Sequence, residues 1–184
     1  MITEEDSEER SLVMIKPEGV KAAGAILEQL DSLGGRRILT AKINPVPLEF
    51  IKELYLPIAG KDIYGPYVDW FRRKEVILSV YQGKGIIGKL RELIGATEPA
   101  RAKPGTIRRE FGGSDETYEL ARVEGRVIRN LVHGSDCKNA EREVDLARRT
   151  LVYAIDSLLS TPPASLLACP TFFINSGGIR FSYS

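Results

Sequence analysis

Histidine, cysteine and tryptophan are scarce in this chain: one, two and one among 184 residues. A lone histidine, His133, excludes a His-rich metal site. The cysteines, Cys137 and Cys169, match no zinc spacing and no CxxC pair, and read as reduced thiols of a cytoplasmic protein. No apolar run approaches the ~20 residues needed to span a bilayer, so no membrane partner is expected. Residues 1–9 are acidic and lack the basic-then-apolar layout of a signal peptide; a short, partly disordered arm is expected. A formal net charge of +1 supplies no global field to recruit nucleic acid.

Apolar residues make up 43% of the chain and charged residues 28%, a balance that suits one well-packed domain. Ser11 to Ile15 is a short apolar run ended by the turn signal Lys16-Pro17-Glu18-Gly19, and reads as a buried strand. Ala23, Ile26, Leu27, Leu30 and Leu33 mark one face of a helix over 20–33, closed by Gly34-Gly35. A second strand follows over 36–43. Helical spacing returns over 48–56 and 61–72, a third strand is expected over 75–81, and a further helix over 85–94. Residues 96–116 have no sustained period, and long loops inside compact domains are usually functional. Residues 117–123 and 126–132, flanking Glu124-Gly125, read as a hairpin. Ser135 or Asp136 is placed to cap a last helix that runs past Ala147.

This order predicts an α+β sandwich of the ferredoxin-like type, a four-stranded antiparallel sheet with helices packed on it. One domain over 10–160 is expected. Residues 161–184, rich in Pro, Ser and Gly, form a C-terminal extension expected to lie over the surface or a neighbouring subunit.

Gly83-Lys84-Gly85-Ile86-Ile87-Gly88 matches G-x-G-x-x-G between a strand and a helix, a dinucleotide-binding signal when met alone. Its context fails. Where an acid should hold the ribose the chain reads Arg101-Ala102-Lys103-Pro104, and no βαβ repeat follows. Between residues 84 and 109 lie Lys84, Lys89, Arg91, Arg101, Lys103, Arg108 and Arg109, opposed by Glu92 and Glu98. Singly these suit a solvated face; together they suit a small, highly charged anion.

The informative stretch is Asn130-Leu131-Val132-His133-Gly134-Ser135-Asp136. A strand delivers His133, Gly134 lets the backbone turn, and a helix begins whose N–H groups favour negative charge. An imidazole, with an ordinary pKa near ~6.5, is a free nucleophile at neutral pH and can hold a phosphoryl group covalently. Glu143, ten residues on, is placed to accept a hydrogen bond from the other ring nitrogen.

Three segments resemble the signatures of the nucleoside diphosphate kinase family, in that family's order. They are Glu9-Arg10-Ser11-Leu12-Val13-Met14-Ile15-Lys16-Pro17-Glu18-Gly19-Val20, Lys103-Pro104-Gly105-Thr106-Ile107-Arg108, and the histidine stretch itself. The resemblance covers roughly residues 9–147. It implies that His133 is the phosphorylated nucleophile. It also implies that Lys16 contacts phosphate and the sugar 3′-hydroxyl, that Arg91, Thr97 and Arg108 bind phosphate, and that Asn130 binds ribose. Tyr55 and Ser135 fall on positions near the histidine, and Glu143, after a one-residue gap, on the glutamate that orients it. The implied reaction is a ping-pong transfer of the γ-phosphate of a nucleoside triphosphate, usually ATP, to a nucleoside diphosphate. Mg²⁺ would ride on the nucleotide phosphates without a dedicated protein cage. Few base contacts are implied, hence broad nucleotide specificity, in a cytoplasmic homo-oligomer, a hexamer before a tetramer.

The chain departs from the family pattern in three places. Ile63, beside Tyr64, stands where a phenylalanine stacks on the base, so the base packs less well there or shifts onto the tyrosine. Glu98 stands where relatives have asparagine. About a dozen extra residues, around 111–125, lie beside the nucleotide loop and can extend a hairpin, cover the site or join a subunit interface. Two rivals to the active enzyme follow: a nucleotide-binding scaffold of the same fold without turnover, and a nucleic-acid binder. The basic stretch lacks the aromatic platform that the second would need.

Overall fold

The computed structural model describes residues 8–160, 170–175 and 178–183. Strand β1 (Glu8–Ile15) leads through a 3-10 segment (Pro17–Ala22) into helix α1 (Ala23–Asp31), then β2 (Arg36–Ile43), α2 (Leu48–Leu54) and α3 (Tyr64–Trp70). Strand β3 (Val76–Lys84) precedes α4 (Ile86–Ile94), α5 (Ile107–Phe111), α6 (Tyr118–Val123), β4 (Val132–Gly134) and α7 (Ala140–Ser160). The main sheet has four strands in the order β2-β3-β1-β4, every neighbouring pair antiparallel. This is the ferredoxin-like arrangement that the element order predicts.

Alternation along β1 builds the two layers. Leu12 and Met14 face a core made with Phe50, Ile51, Leu54, Phe71 and, from α7, Leu146, Ala147 and Leu151. Val13 and Ile15 face the other core, with Ile26 and Leu30 of α1 and Ile86, Leu90 and Ile94 of α4. Side chains of a strand point alternately to opposite faces, and helices cover both, so β1 reads as a continuous apolar run.

Several sequence expectations need correction. The hairpin expected over 117–132 does not form: 118–123 is α6, and only 132–134 is strand. Thr117 caps α6 by accepting the Leu120 N–H at 3.1 Å, and Glu119 pairs with Arg122 one turn on, so the extra segment has its own helical signals. Inside the loop over 96–116, α5 forms. Glu8 and Glu9 belong to β1 and pair with Lys84 and Gly83, so the acidic arm reaches no further than residue 7, outside the described residues. In the expected extension, Pro170–Asn175 (β5) and Gly178–Tyr183 (β6) form an antiparallel hairpin, while residues 161–169 and Cys169 with them lie outside the description. The glycine-rich decoy is the β3–α4 turn, with Gly85 in the left-handed region (φ 59°) that favours glycine. Its sheet is antiparallel, which removes the dinucleotide reading.

Candidate active site

Edge strand β4 presents His133, paired across to Met14 of β1. The unusual backbone lies before the histidine rather than after it. Leu131 has φ 63°, a conformation that costs a non-glycine residue about 1–2 kcal/mol. Two contacts hold it there: Lys16 N–H donates to the Leu131 carbonyl at 2.8 Å, and the Leu131 N–H donates to Glu18 Oε1 at 3.3 Å. Gly134 has an ordinary φ. Its lack of a side chain matters because a Cβ there would meet Ile94 Cδ1 at 2.6 Å. Helix α7 begins six residues later, not at Ser135. Asp136 caps its entry, with Oδ1 accepting from Lys138 N–H at 3.0 Å and Asn139 N–H at 2.9 Å. Burial pushes the Asp136 carboxyl up, but these bonds overcome it and hold the group below its ordinary range. The N–H groups of the turn that leads into α7 are therefore taken up by Asp136.

The His133 Nε2 lies 2.7 Å from Glu143 Oε2. Glu143 is buried on the first turn of α7, and Ser135 Oγ donates to the same Oε2 at 2.7 Å. Ser135 Oγ also accepts from Leu12 N–H at 3.1 Å, which ties this group to the centre of the sheet. A carboxylate only accepts hydrogen bonds. Nε2 therefore carries the hydrogen, and in the neutral imidazole the lone pair falls on Nδ1.

His133 opens on a cleft of about 620 Å³, within the range of small-molecule sites. Lys16, Tyr55, Ile63, Arg91, Thr97, Arg108, Asn130 and Glu143 line it as well. The residues singled out in the sequence thus converge, with Ser135 buried behind His133. Tyr64 is not among the lining residues; its hydroxyl donates to the Lys52 carbonyl at 3.1 Å. Lys16 is buried, and its Nζ donates to Asn130 Oδ1 and to the Tyr67 hydroxyl. Asn130 Nδ2 in turn donates to the Thr97 carbonyl at 3.2 Å. The Tyr55 ring packs edge-on against the His133 ring, 5.7 Å between centroids. Its hydroxyl is buried without a hydrogen-bond partner, and burial pushes its pKa far up, so the phenol stays neutral.

Arg108 reaches under the cleft. Its guanidinium donates to the carbonyls of Asn130 (3.1 Å), Gly95 (2.9 Å) and Val132 (2.6 Å). Burial lowers its pKa, while nearby tyrosines oppose the shift. Lys61 adds a further cation to the lining. Elsewhere in the basic stretch, Arg101 pairs with Glu98 at 3.3 Å and Arg109 donates to the Ala100 carbonyl at 3.2 Å. Sequence reasoning did not find Tyr67, Tyr118, Ile128 or Glu18. Tyr67 was one of several aromatics on a short helical pattern, and Tyr118 lies in the segment read as a hairpin.

A ferredoxin-like sheet whose edge histidine faces lysine and arginine across a nucleotide-sized cleft defines an enzyme of the phosphotransferase class. A family model described as nucleoside diphosphate kinase matches residues 9–149. The chain is 35% identical over 141 residues to the nucleoside diphosphate kinase of Crocosphaera subtropica, covering 75% of this chain and 86% of that protein. It is equally similar to the chloroplastic nucleoside diphosphate kinase 2 of Spinacia oleracea, where the match covers 75% of this chain and spans 55% of the spinach protein. A solved structure of the Borrelia burgdorferi nucleoside-diphosphate kinase, a transition state mimic with bound vanadate and ADP, superposes with a TM-score of 0.69. It is 26% identical, over 76% of this chain and 86% of that one. The chain belongs to the nucleoside diphosphate kinase family.

Proposed function

We propose that this chain transfers the γ-phosphate of a nucleoside triphosphate to a nucleoside diphosphate, with His133 as the carrier. One observation carries the reading. The 2.7 Å bond from His133 Nε2 to Glu143 leaves Nδ1 unprotonated beside a cleft lined by Lys16, Arg91 and Arg108. Nδ1 attacks the γ-phosphorus, an N–P bond forms, and the bond to the β–γ bridging oxygen breaks. The nucleoside diphosphate leaves with that electron pair. A second nucleoside diphosphate then attacks the same phosphorus through a terminal phosphate oxygen, and the N–P bond breaks back onto the imidazole. Glu143 stabilises the imidazole as it gains and loses positive character, and the cations offset charge on the transferred group.

In the same reading Lys16, Arg91, Thr97 and Arg108 take the phosphates, Asn130 with Lys16 takes the ribose, and Ile63 borders the base. Tyr55 and Ser135 fix the ring and its carboxylate. The cleft's acids are committed, Glu143 to His133 and Ser135, Asp136 to the start of α7. That donor set suits a Mg²⁺ ion held by phosphate oxygens and water, which would offset charge on the triphosphate. A cytoplasmic homo-oligomer, hexameric before tetrameric, completes the proposal; light scattering on the purified chain reads its size. No helix among the described residues is long and apolar enough to cross a membrane.

The test is covalent labelling. Incubation with γ-labelled ATP should give an acid-labile, base-stable phosphoprotein, and His133→Ala should abolish the label. Label that survives acid, or that persists in His133→Ala, overturns the assignment.

A further inference from the structure

The extra segment is joined to the cleft rather than appended to the surface. Glu98, which departs from the family pattern, accepts the Tyr118 N–H through Oε2 at 3.1 Å. The preceding Glu116 is buried, receives both Arg126 Nη groups at 2.6 and 2.8 Å, and accepts the Arg129 N–H at 2.8 Å. Its carbonyl accepts the Ala100 N–H at 3.2 Å. Ala121, on the inner side of α6, is 2% exposed. These contacts set α6 rigidly on the loop that carries Thr97.

What α6 delivers there is Tyr118. The side chain lines the cleft together with Thr97, Arg108 and Tyr67. Even so, Tyr118 is 49% exposed. Of the large apolar or aromatic side chains left this exposed among the described residues, only Tyr118 and Ile63 (39%) belong to the cleft lining. A ring held by its backbone, partly in water, next to phosphate-binding groups is a surface for the part of the ligand just beyond the phosphates. Ile63 offers no π-face in that cleft, and Tyr118 does.

We propose that Tyr118 is a specificity-determining residue, an aromatic wall against which the nucleoside of the substrate stacks, built by the extra segment and aimed by Glu98. The three departures from the family pattern are then one linked change: an aliphatic residue at 63, an aromatic supplied from a new helix, and a carboxylate at 98 to hold that helix. This inference rests on the nucleotide-transfer reading above. Because stacking scales with the π-surface offered, the wall favours purine over pyrimidine diphosphates.

The experiment compares wild type, Tyr118→Leu, Tyr118→Phe and Tyr118→Leu/Ile63→Phe. Calorimetry gives Kd for ADP, GDP, CDP and inorganic tripolyphosphate, and γ-labelled ATP reports His133 labelling. Loss of one base–aromatic stack is commonly an effect of about 5- to 150-fold. Tyr118→Leu should weaken ADP and GDP about 10-fold, CDP by less, and tripolyphosphate by less than about 2-fold. Tyr118→Phe and the double variant should recover most of the purine affinity, and recovery in the double variant, where the ring sits at position 63, is a rescue that a merely structural role for Tyr118 would not produce. Equal weakening of tripolyphosphate and ADP, or no change for ADP, overturns the inference; continued labelling of wild type then leaves the phosphotransfer reading standing. Wild type that never labels overturns both.

Discussion

His133 and Glu143, ten residues apart in sequence, meet at 2.7 Å because β4 ends where α7 turns back beneath it. The same Glu143 oxygen takes the Ser135 hydroxyl, so the carboxylate is held from two sides. Removing it should leave the ring in place but free to rotate and to choose its tautomer. Glu143→Ala is expected to slow phosphorylation of His133 by about 10- to 100-fold, the range for losing a group that orients a reactive imidazole. Nucleotide affinity should fall much less. Glu143→Gln, which can point an N–H at Nε2 and so move the proton to Nδ1, should be no faster than the alanine variant. Single-turnover labelling with γ-labelled ATP measures both, and a Gln variant close to wild type would contradict the assignment of Nδ1 as nucleophile.

Arg108 combines two duties, and its replacement should show both. Three of its donors hold the carbonyls of Gly95, Asn130 and Val132, the backbone on either side of the cleft. A hydrogen bond to a charged group is worth about 1.5–3 kcal/mol, and the carbonyls left behind are partly buried. Arg108→Ala should therefore lower stability by about 2–4 kcal/mol and lower the transfer rate by more than ~10-fold through lost charge stabilisation. Arg108→Lys keeps the charge but not the fork that spans three carbonyls. It should recover part of the rate and little of the stability. Urea midpoints and steady-state rates on the two variants separate these duties; a lysine variant that restores both would refute the structural half.

How much of this was legible in the chain follows from where each signal is local. Strand 36–43 and the helix beginning near Ile86 were readable because period and turn signals agree over eight or nine residues. Tyr118 to Val123 was misread because apolar residues at 118, 120, 121 and 123 fit either period over so short a span. The deciding contacts, Glu98 to the Tyr118 N–H and Glu116 to Arg126, are tertiary. Leu131's left-handed backbone was invisible for a similar reason, since nothing in a leucine asks for φ 63° and the contacts from Lys16 and Glu18 impose it. Of the site, His133 and Glu143 could be argued from their own neighbourhood. Lys16, Arg91, Arg108 and Asn130 could be gathered only by resemblance, because their chain separation hides their convergence.

Glu116 makes the extra segment sensitive to acid. Burial alone would raise its carboxyl above the ordinary value near 4.5, but the bonds from Arg126 and the Arg129 N–H outweigh that and hold it below. A carboxylate depressed in the fold contributes stability that is complete above its unfolded value and is lost as pH falls through its folded value. The stability that Glu116 supplies should thus be whole at pH 7, begin to fall below about 4.5, and be largely gone once the folded group protonates. At pH 7 Glu116→Gln should cost about 1–2 kcal/mol, since Arg126 loses its buried ionic partner while keeping Glu124 and the Val127 carbonyl. At low pH the wild-type carboxyl is itself neutral, so the gap between the two proteins should close. Urea midpoints of both at pH 7, 5 and 3 read that gap directly. A gap that stays constant across the series would mean Glu116 acts through packing rather than charge. A gap that narrows, with purine affinity falling in Glu116→Gln at pH 7, would tie the stability of α6 to the cleft that Tyr118 lines.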